Sequence, residues 1–113
     1  MELTGNALKD FWIWYLLPEQ RKTYKTNSLR GGDNVAKIRF LAMSPAERYG
    51  VIEDYFEGVG INIEITNDNK IIKTFWVDIN AKETDDVELN SRPEARDLAV
   101  KKANELRNEV LNK

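Results

Sequence analysis

Two groups of carboxylates are the first residues whose types and spacing could do chemistry: Glu53, Asp54 and Glu57, and Asp85, Asp86 and Glu88. Hard divalent cations need several oxygens converging at close range. Neither group has the spaced ligands of a calcium loop, and carboxylates three and four apart on one helix ordinarily form a solvated face. No metal site is assigned. A carboxylate pair for glycoside chemistry also needs a cleft and a set separation, which no stretch of the sequence specifies. Nucleophilic chemistry has less to draw on. The chain has no cysteine and no histidine, so no Cys–His or Ser–His dyad can form, and the commonest zinc ligands are missing. Ser44 and Ser91 read as helix caps rather than nucleophiles. Lys and Tyr side chains remain, without a pattern that recruits them. The expectation is a protein that is not an enzyme and that carries no cofactor.

Binding chemistry has more to work with. Arg21, Lys22, Lys25 and Arg30 interleave with Tyr24, a composition that can contact phosphate. A solvated basic linker has the same composition and is the favoured reading. Gly31-Gly32 lacks the spaced glycines and the Lys-Ser/Thr pair of a phosphate-binding loop. Trp76 alternates with core positions on a strand. It either lies beneath another element or offers an aromatic platform of the kind single-strand binders use, and burial is favoured because Trp is highly buried on average.

These residues are positioned by a chain of 113 residues, enough for one domain with a hydrophobic core. The absence of cysteine fits a reducing compartment. No basic region precedes the first apolar run, so no signal peptide is expected. That run, Phe11 to Leu17, is too short to span a bilayer. A soluble, cytoplasmic protein without membrane partners is expected. The net charge is −2, unevenly spread: residues 18–48 carry a balance of +4 and residues 49–113 a balance of −5.

The elements centre on Gly60 to Ile79. Ile61, Ile63 and Ile65 alternate with polar residues, and Ile71, Phe75, Val77 and Ile79 share one parity that Lys73 interrupts, so two strands each present one apolar face. Asn67-Asp68-Asn69-Lys70 supplies turn residues between them. Ile72, Thr74, Trp76 and Asp78 take the other face. Residues 84–89 carry a weak alternation through Val87 and Leu89 and are a candidate third strand.

Ahead of the hairpin, a first helix is expected from Thr4 or Asn6 to Pro18. Leu8, Phe11, Trp12, Tyr15 and Leu16 form one stripe, with Ile13, Trp14 and Leu17 opposite. A helix apolar on both sides wants two partners. Enclosure within the monomer is favoured, with an interface made by Ile13, Trp14 and Leu17 as the sharper alternative. Residues 18–34 read as a loop or a short helix followed by a loop, basic and mobile. Asp33 or Asn34 caps a short helix with Val35, Ile38, Leu41 and Ala42 on one side.

Ser44-Pro45-Ala46-Glu47 is a capping box with Pro at the first helical position. The helix it starts runs to about Glu57, with Tyr49, Ile52, Tyr55 and Phe56 inward and Val51 beside them. Gly50 is expected to admit a close neighbour such as Trp12 or Trp76. Gly58 and Gly60 end the helix. Ser91-Arg92-Pro93-Glu94 repeats the box and opens a last helix to about Leu111, with Ala95, Leu98, Ala99, Leu106 and Val110 inward. The fold class is α+β: a helical amino-terminal half, an antiparallel β-hairpin or three-stranded sheet, and a long carboxy-terminal helix packed on it.

Three stretches carry a resemblance. They are Leu3-Thr4-Gly5 with Phe11 and Trp14-Tyr15; Tyr49-Gly50-Val51 through Asp54-Tyr55-Phe56 to Val59-Gly60-Ile61; and Ser91-Arg92-Pro93-Glu94-Ala95-Arg96 to Ala103-Asn104-Glu105. In these the chain resembles small bacteriophage and prophage proteins of gut Bacteroidetes-type bacteria that have no assigned activity. The basic segment 18–34 lies outside the pattern. The resemblance implies an accessory phage protein and transfers no catalytic residue. Together with the two-sided helix it leads to the expectation of a protein–protein interaction module, with a homodimer as one form. Ile13, Trp14, Leu17 and Trp76 form its surface. The alternative is nucleic-acid binding through Arg21, Lys22, Lys25 and Arg30, with an aromatic on the sheet.

Overall fold

The computed structural model describes residues 1–24, 32–68, 74–83, 89 and 91–113. Five helices and three strands follow one another in the order α1 (Gly5–Tyr15), α2 (Pro18–Thr23), α3 (Gly32–Leu41), α4 (Pro45–Gly58), β1 (Ile63–Asp68), β2 (Thr74–Ile79), β3 (Lys82–Glu83) and α5 (Arg92–Leu111). The α+β class and the packing of the long last helix on the sheet are as expected.

Both serine caps form. Ser44 Oγ accepts from the Glu47 N–H at 3.2 Å, and Ser91 Oγ accepts from the Glu94 N–H at 3.3 Å, each with Pro in the first turn. Each cap satisfies one of the orphan donors at a helix start. Gly60, with φ of 84°, turns the chain out of α4 toward the sheet. The conformation is left-handed and suits glycine alone without strain.

The sheet is antiparallel in the order β1-β2-β3, with Ile63 opposite Ile79 and Ile65 opposite Val77. Phe75, Val77 and Ile79 are buried, and Ile63 and Ile65 are half-buried on the same side. Glu64 and Thr66 face out. The two-residue period assigned both faces correctly. A short third strand, Lys82–Glu83, pairs with β2 after a two-residue turn; of the candidate strand over 84–89 only Leu89 is described, and it bridges to Phe75. Residues 69–73, with Ile71 and Ile72 of the expected hairpin, and residues 84–88 lie outside the described residues.

The buried side chains form one cluster, built from α1, α4, α5 and the inner face of the sheet. Tyr49, Val51, Ile52, Tyr55 and Phe56 of α4 all point inward, as expected. Three other expectations are corrected. On α5 the inner face is Ala95, Ala99, Val100, Ala103 and Asn104, whereas Leu106 and Val110 are exposed. Small residues bring the helix close to its neighbours, and Leu106 and Val110 continue the line of the alanines but are exposed. On α3 the inner positions are Ala36 and Phe40, while Ile38 and Leu41 face solvent. Gly50 admits no neighbour: a Cβ there would meet nothing within 4 Å.

The start of α1 is capped from elsewhere. The Thr4 side chain makes no cap bond. Instead Asn108 Oδ1 of α5 accepts from the Ala7 N–H at 2.8 Å, and Asn108 Nδ2 donates to the Thr4 carbonyl at 3.0 Å. One turn earlier on α5, buried Asn104 accepts from the Thr4 N–H and donates to Thr4 Oγ1, at 3.0 and 2.9 Å. One turn later, Asn112 Oδ1 accepts from Asn6 Nδ2 at 2.6 Å. Gly5 fits between them with φ of 64°, where a Cβ would lie 3.0 Å from Asn108 Oδ1.

Candidate functional site

The apolar helix α1 organises the candidate site, and most of its surface is covered by its own chain. Phe11 and Tyr15 are fully buried. Phe11 packs edge-on to Tyr55 of α4 and tilts against Phe40 of α3, with centroids 5.5 and 5.3 Å apart. Trp12 stands edge-on to Phe40 at 5.4 Å, and the Lys37 ammonium lies 5.4 Å from its ring centre. Trp14 is half-buried between Tyr55 at 5.6 Å and Tyr24 at 6.0 Å. The ring, which the interface reading placed on the surface, is thus partly taken up by the aromatic cluster, against Tyr55 of α4 and Tyr24 just past the end of α2.

What α1 leaves open is Ile13, at 68% exposure, and Leu17 just past its end. On α3, Ile38 and Leu41 are 65% and 59% exposed. These two were missed because Val35, Ile38, Leu41 and Ala42 and the true set Ala36 and Phe40 both satisfy helical spacing, and the larger aliphatics were assigned inward. Lys37 and Arg39 flank Ile38 along the chain.

The basic segment is partly committed to structure. Residues 18–23 form α2, the short helix that was one of the two expected forms, and α3 opens at Gly32, slightly ahead of the expected cap at Asp33 or Asn34; residues 25–31 lie outside the described residues. Arg21 Nε donates to the Leu16 carbonyl at 3.0 Å, and its NH2 group pairs with Asp33. A guanidinium so engaged ties the end of α1 to the start of α3 and has little left for phosphate. Lys22 faces solvent. Lys25 and Arg30 lie outside the described residues. Trp76 is half-buried on the outer face of the sheet, opposite Thr66.

The acidic residues of α4 serve separate roles. Asp54 accepts from the Tyr24 hydroxyl at 2.6 Å. Burial, and then the bond to Asp54, push the Tyr24 phenol well above its usual range. Asp85, Asp86 and Glu88 lie outside the described residues. Among the described residues no three acidic side chains converge as a metal-holding group. No described helix is long and apolar enough to cross a membrane.

A charged network links three helices. Asp10 Oδ2 on α1 accepts from the Tyr55 hydroxyl of α4 at 2.6 Å and from Arg107 NH2 of α5 at 2.9 Å. Burial alone would raise the Asp10 carboxyl, but the bonds from Tyr55 and Arg107 outweigh it and hold the group below the usual carboxylate range. Burial and the bond to Asp10 push the Tyr55 phenol up to about 12. The arrangement is a structural clasp: all three groups already have partners.

A cleft of about 330 Å³ opens where α1, α3 and α4 meet. Its walls are Leu3, Leu8, Phe11, Trp12, Phe40 and Ile52, with Leu41 beside them and Met1, Glu2 and Arg48 completing the lining. Arg48 had no sequence signal that set it apart from other surface cations. Comparison of the chain with protein-family models, with curated proteins and with solved structures gave no match.

Proposed function

We propose that this protein is a small, non-catalytic interaction module, of the phage accessory kind its sequence resembles. It docks on a protein partner through the solvent-facing apolar side chains of α1 and α3. The observation that carries this reading is the exposure of Ile13, Ile38 and Leu41 on helices whose other faces are already filled. Ile38 and Leu41, three apart, share one side of α3, and an exposed apolar patch marks a contact surface. Lys37 and Arg39 beside Ile38, within a segment of balance +4, fit a partner whose apolar patch is edged by carboxylates.

The test is site-specific photo-crosslinking from position 38 in nuclease-treated host lysate, repeated with Ile13→Glu and Leu41→Glu. Both substitutions fall on solvent-facing positions, so circular dichroism and melting should match the wild type. The expected result is a crosslinked protein whose yield falls at least tenfold in the variants. Light scattering on the purified protein identifies the case in which that protein is a second copy. A crosslinking pattern that is unchanged in both variants overturns the proposal, as does one lost on nuclease treatment.

A further inference from the structure

The cleft between α1, α3 and α4 holds a feature that the interaction reading does not use. Its walls are core side chains: Phe11, Phe40, Ile52 and Leu3 are all buried. At about 330 Å³ it stands at the small end of the range of ligand pockets. Against this apolar lining lies a guanidinium; the Met1 ammonium, also in the lining, is already paired with Asp97. Arg48 is half-buried, its Nε is shielded from solvent, and that Nε has no hydrogen-bond acceptor among the described residues. A shielded guanidinium N–H without an acceptor is costly, since buried donors are almost always satisfied. The planar fork of a guanidinium matches a carboxylate through two parallel N–H···O bonds, a fit a point charge cannot reproduce. Glu2, also in the lining, is exposed and makes no ion pair with Arg48 among the described residues.

We infer that the cleft is a binding site for a small aliphatic carboxylate. Its chain packs against Leu8, Phe11, Trp12, Phe40 and Ile52, and its carboxylate accepts from the Arg48 guanidinium. The cleft shares Leu41 with the docking surface, whereas Ile13 and Ile38 take no part in it, so Ile13→Glu tests docking without touching the cleft.

The probe is decanoate, below its aggregation concentration. Its comparators are decanol, which has the chain without the charge, and butyrate, which has the charge without most of the chain. Binding is read by calorimetry and by the indole N–H resonance of Trp12, set against those of Trp14 and Trp76. Decanoate is expected to saturate a single site, to shift Trp12 selectively, and to bind at least tenfold tighter than either comparator. Arg48→Met should reduce the decanoate-to-decanol ratio to about one while leaving decanol binding in place. Glu2→Gln should tighten decanoate by removing a like charge from the rim. The wild-type comparison and Arg48→Lys, which loses the fork and keeps the charge, provide the test if Arg48→Met does not fold. Equal affinity for decanoate and decanol overturns the inference. So does the absence of saturable binding, or a response at Trp14 or Trp76 that leaves Trp12 unmoved.

Discussion

Asn108 does for α1 what an N-terminal Ser or Asp does for its own helix. The Ala7 N–H is one of the donors a helix start leaves unpaired, and its acceptor comes from a residue 101 positions away. Asn108→Ala removes that acceptor and the donor to the Thr4 carbonyl together. It should lower stability by about 1–2 kcal/mol, the range for a lost cap, measured by urea unfolding. A second residue-scale prediction concerns acid. Because the Asp10 carboxyl is depressed in the folded state, its contribution is complete above the ordinary carboxylate range and is lost as pH falls through the folded value. Tyr55→Phe deletes one of the bonds that depress it. The variant should lose about 1 kcal/mol at neutral pH, and its acid unfolding midpoint should move to higher pH than that of the wild type.

Two elements carry backbone choices that local physics does not favour. Gly50 lies inside α4 on the solvent side, with nothing near its missing side chain. Gly50→Ala should stabilise by about 0.5–1 kcal/mol through helix propensity alone, seen as a higher urea midpoint at unchanged slope. The turn from β2 to β3 uses Asn80 and Ala81, with φ of 53° and 64°. Two-residue hairpin turns with both central residues left-handed prefer Asn-Gly. Ala81→Gly should therefore add about 1 kcal/mol, since a left-handed Ala is strained by about 1–2 kcal/mol and Gly gives back part of that in unfolded-state entropy.

The element scale also shows what was legible from sequence. The boxes at Ser44 and Ser91 and the alternation of Phe75, Val77 and Ile79 are local signals, and all three were read correctly. The first-helix stripe of Phe11 and Tyr15 was equally clear. The Asn80-Ala81 turn was missed because Ala in place of Gly hides the pattern. The three asparagines four apart on α5 announce a polar stripe, but nothing within α5 says that the stripe meets the start of α1.

At the scale of the molecule, the failures share one cause: periodicity reports which residues share a face and not how far the facing element extends. A helix of 20 residues spans about 30 Å, whereas a strand of six spans about 20 Å. The last turns of α5 reach α1 through Arg107 and Asn108, and Leu106 and Val110 are left to solvent. Replacing both with Gln should change stability by no more than about 0.5 kcal/mol each, as for exposed positions away from special features. Burial of either residue in solution would show as a much larger loss. The candidate site was less legible than the fold. Ile13 and Leu17 were assigned to the right side of α1, but Ile38, Leu41 and Arg48 gain their meaning only from the aromatic contacts that turn α3 over and open the cleft.

The pairing of Thr4 and Ala7 with Asn104 and Asn108 has a consequence for how the protein is made. A ribosome releases the Phe11–Tyr15 aromatics about 100 residues before it releases the asparagines that close their helix. At synthesis rates of roughly 5–20 residues per second, that interval lasts on the order of 5–20 s. Throughout it, two tryptophans, a phenylalanine and a tyrosine on one short segment await their cap. The segment stays without that cap until the last helix has emerged.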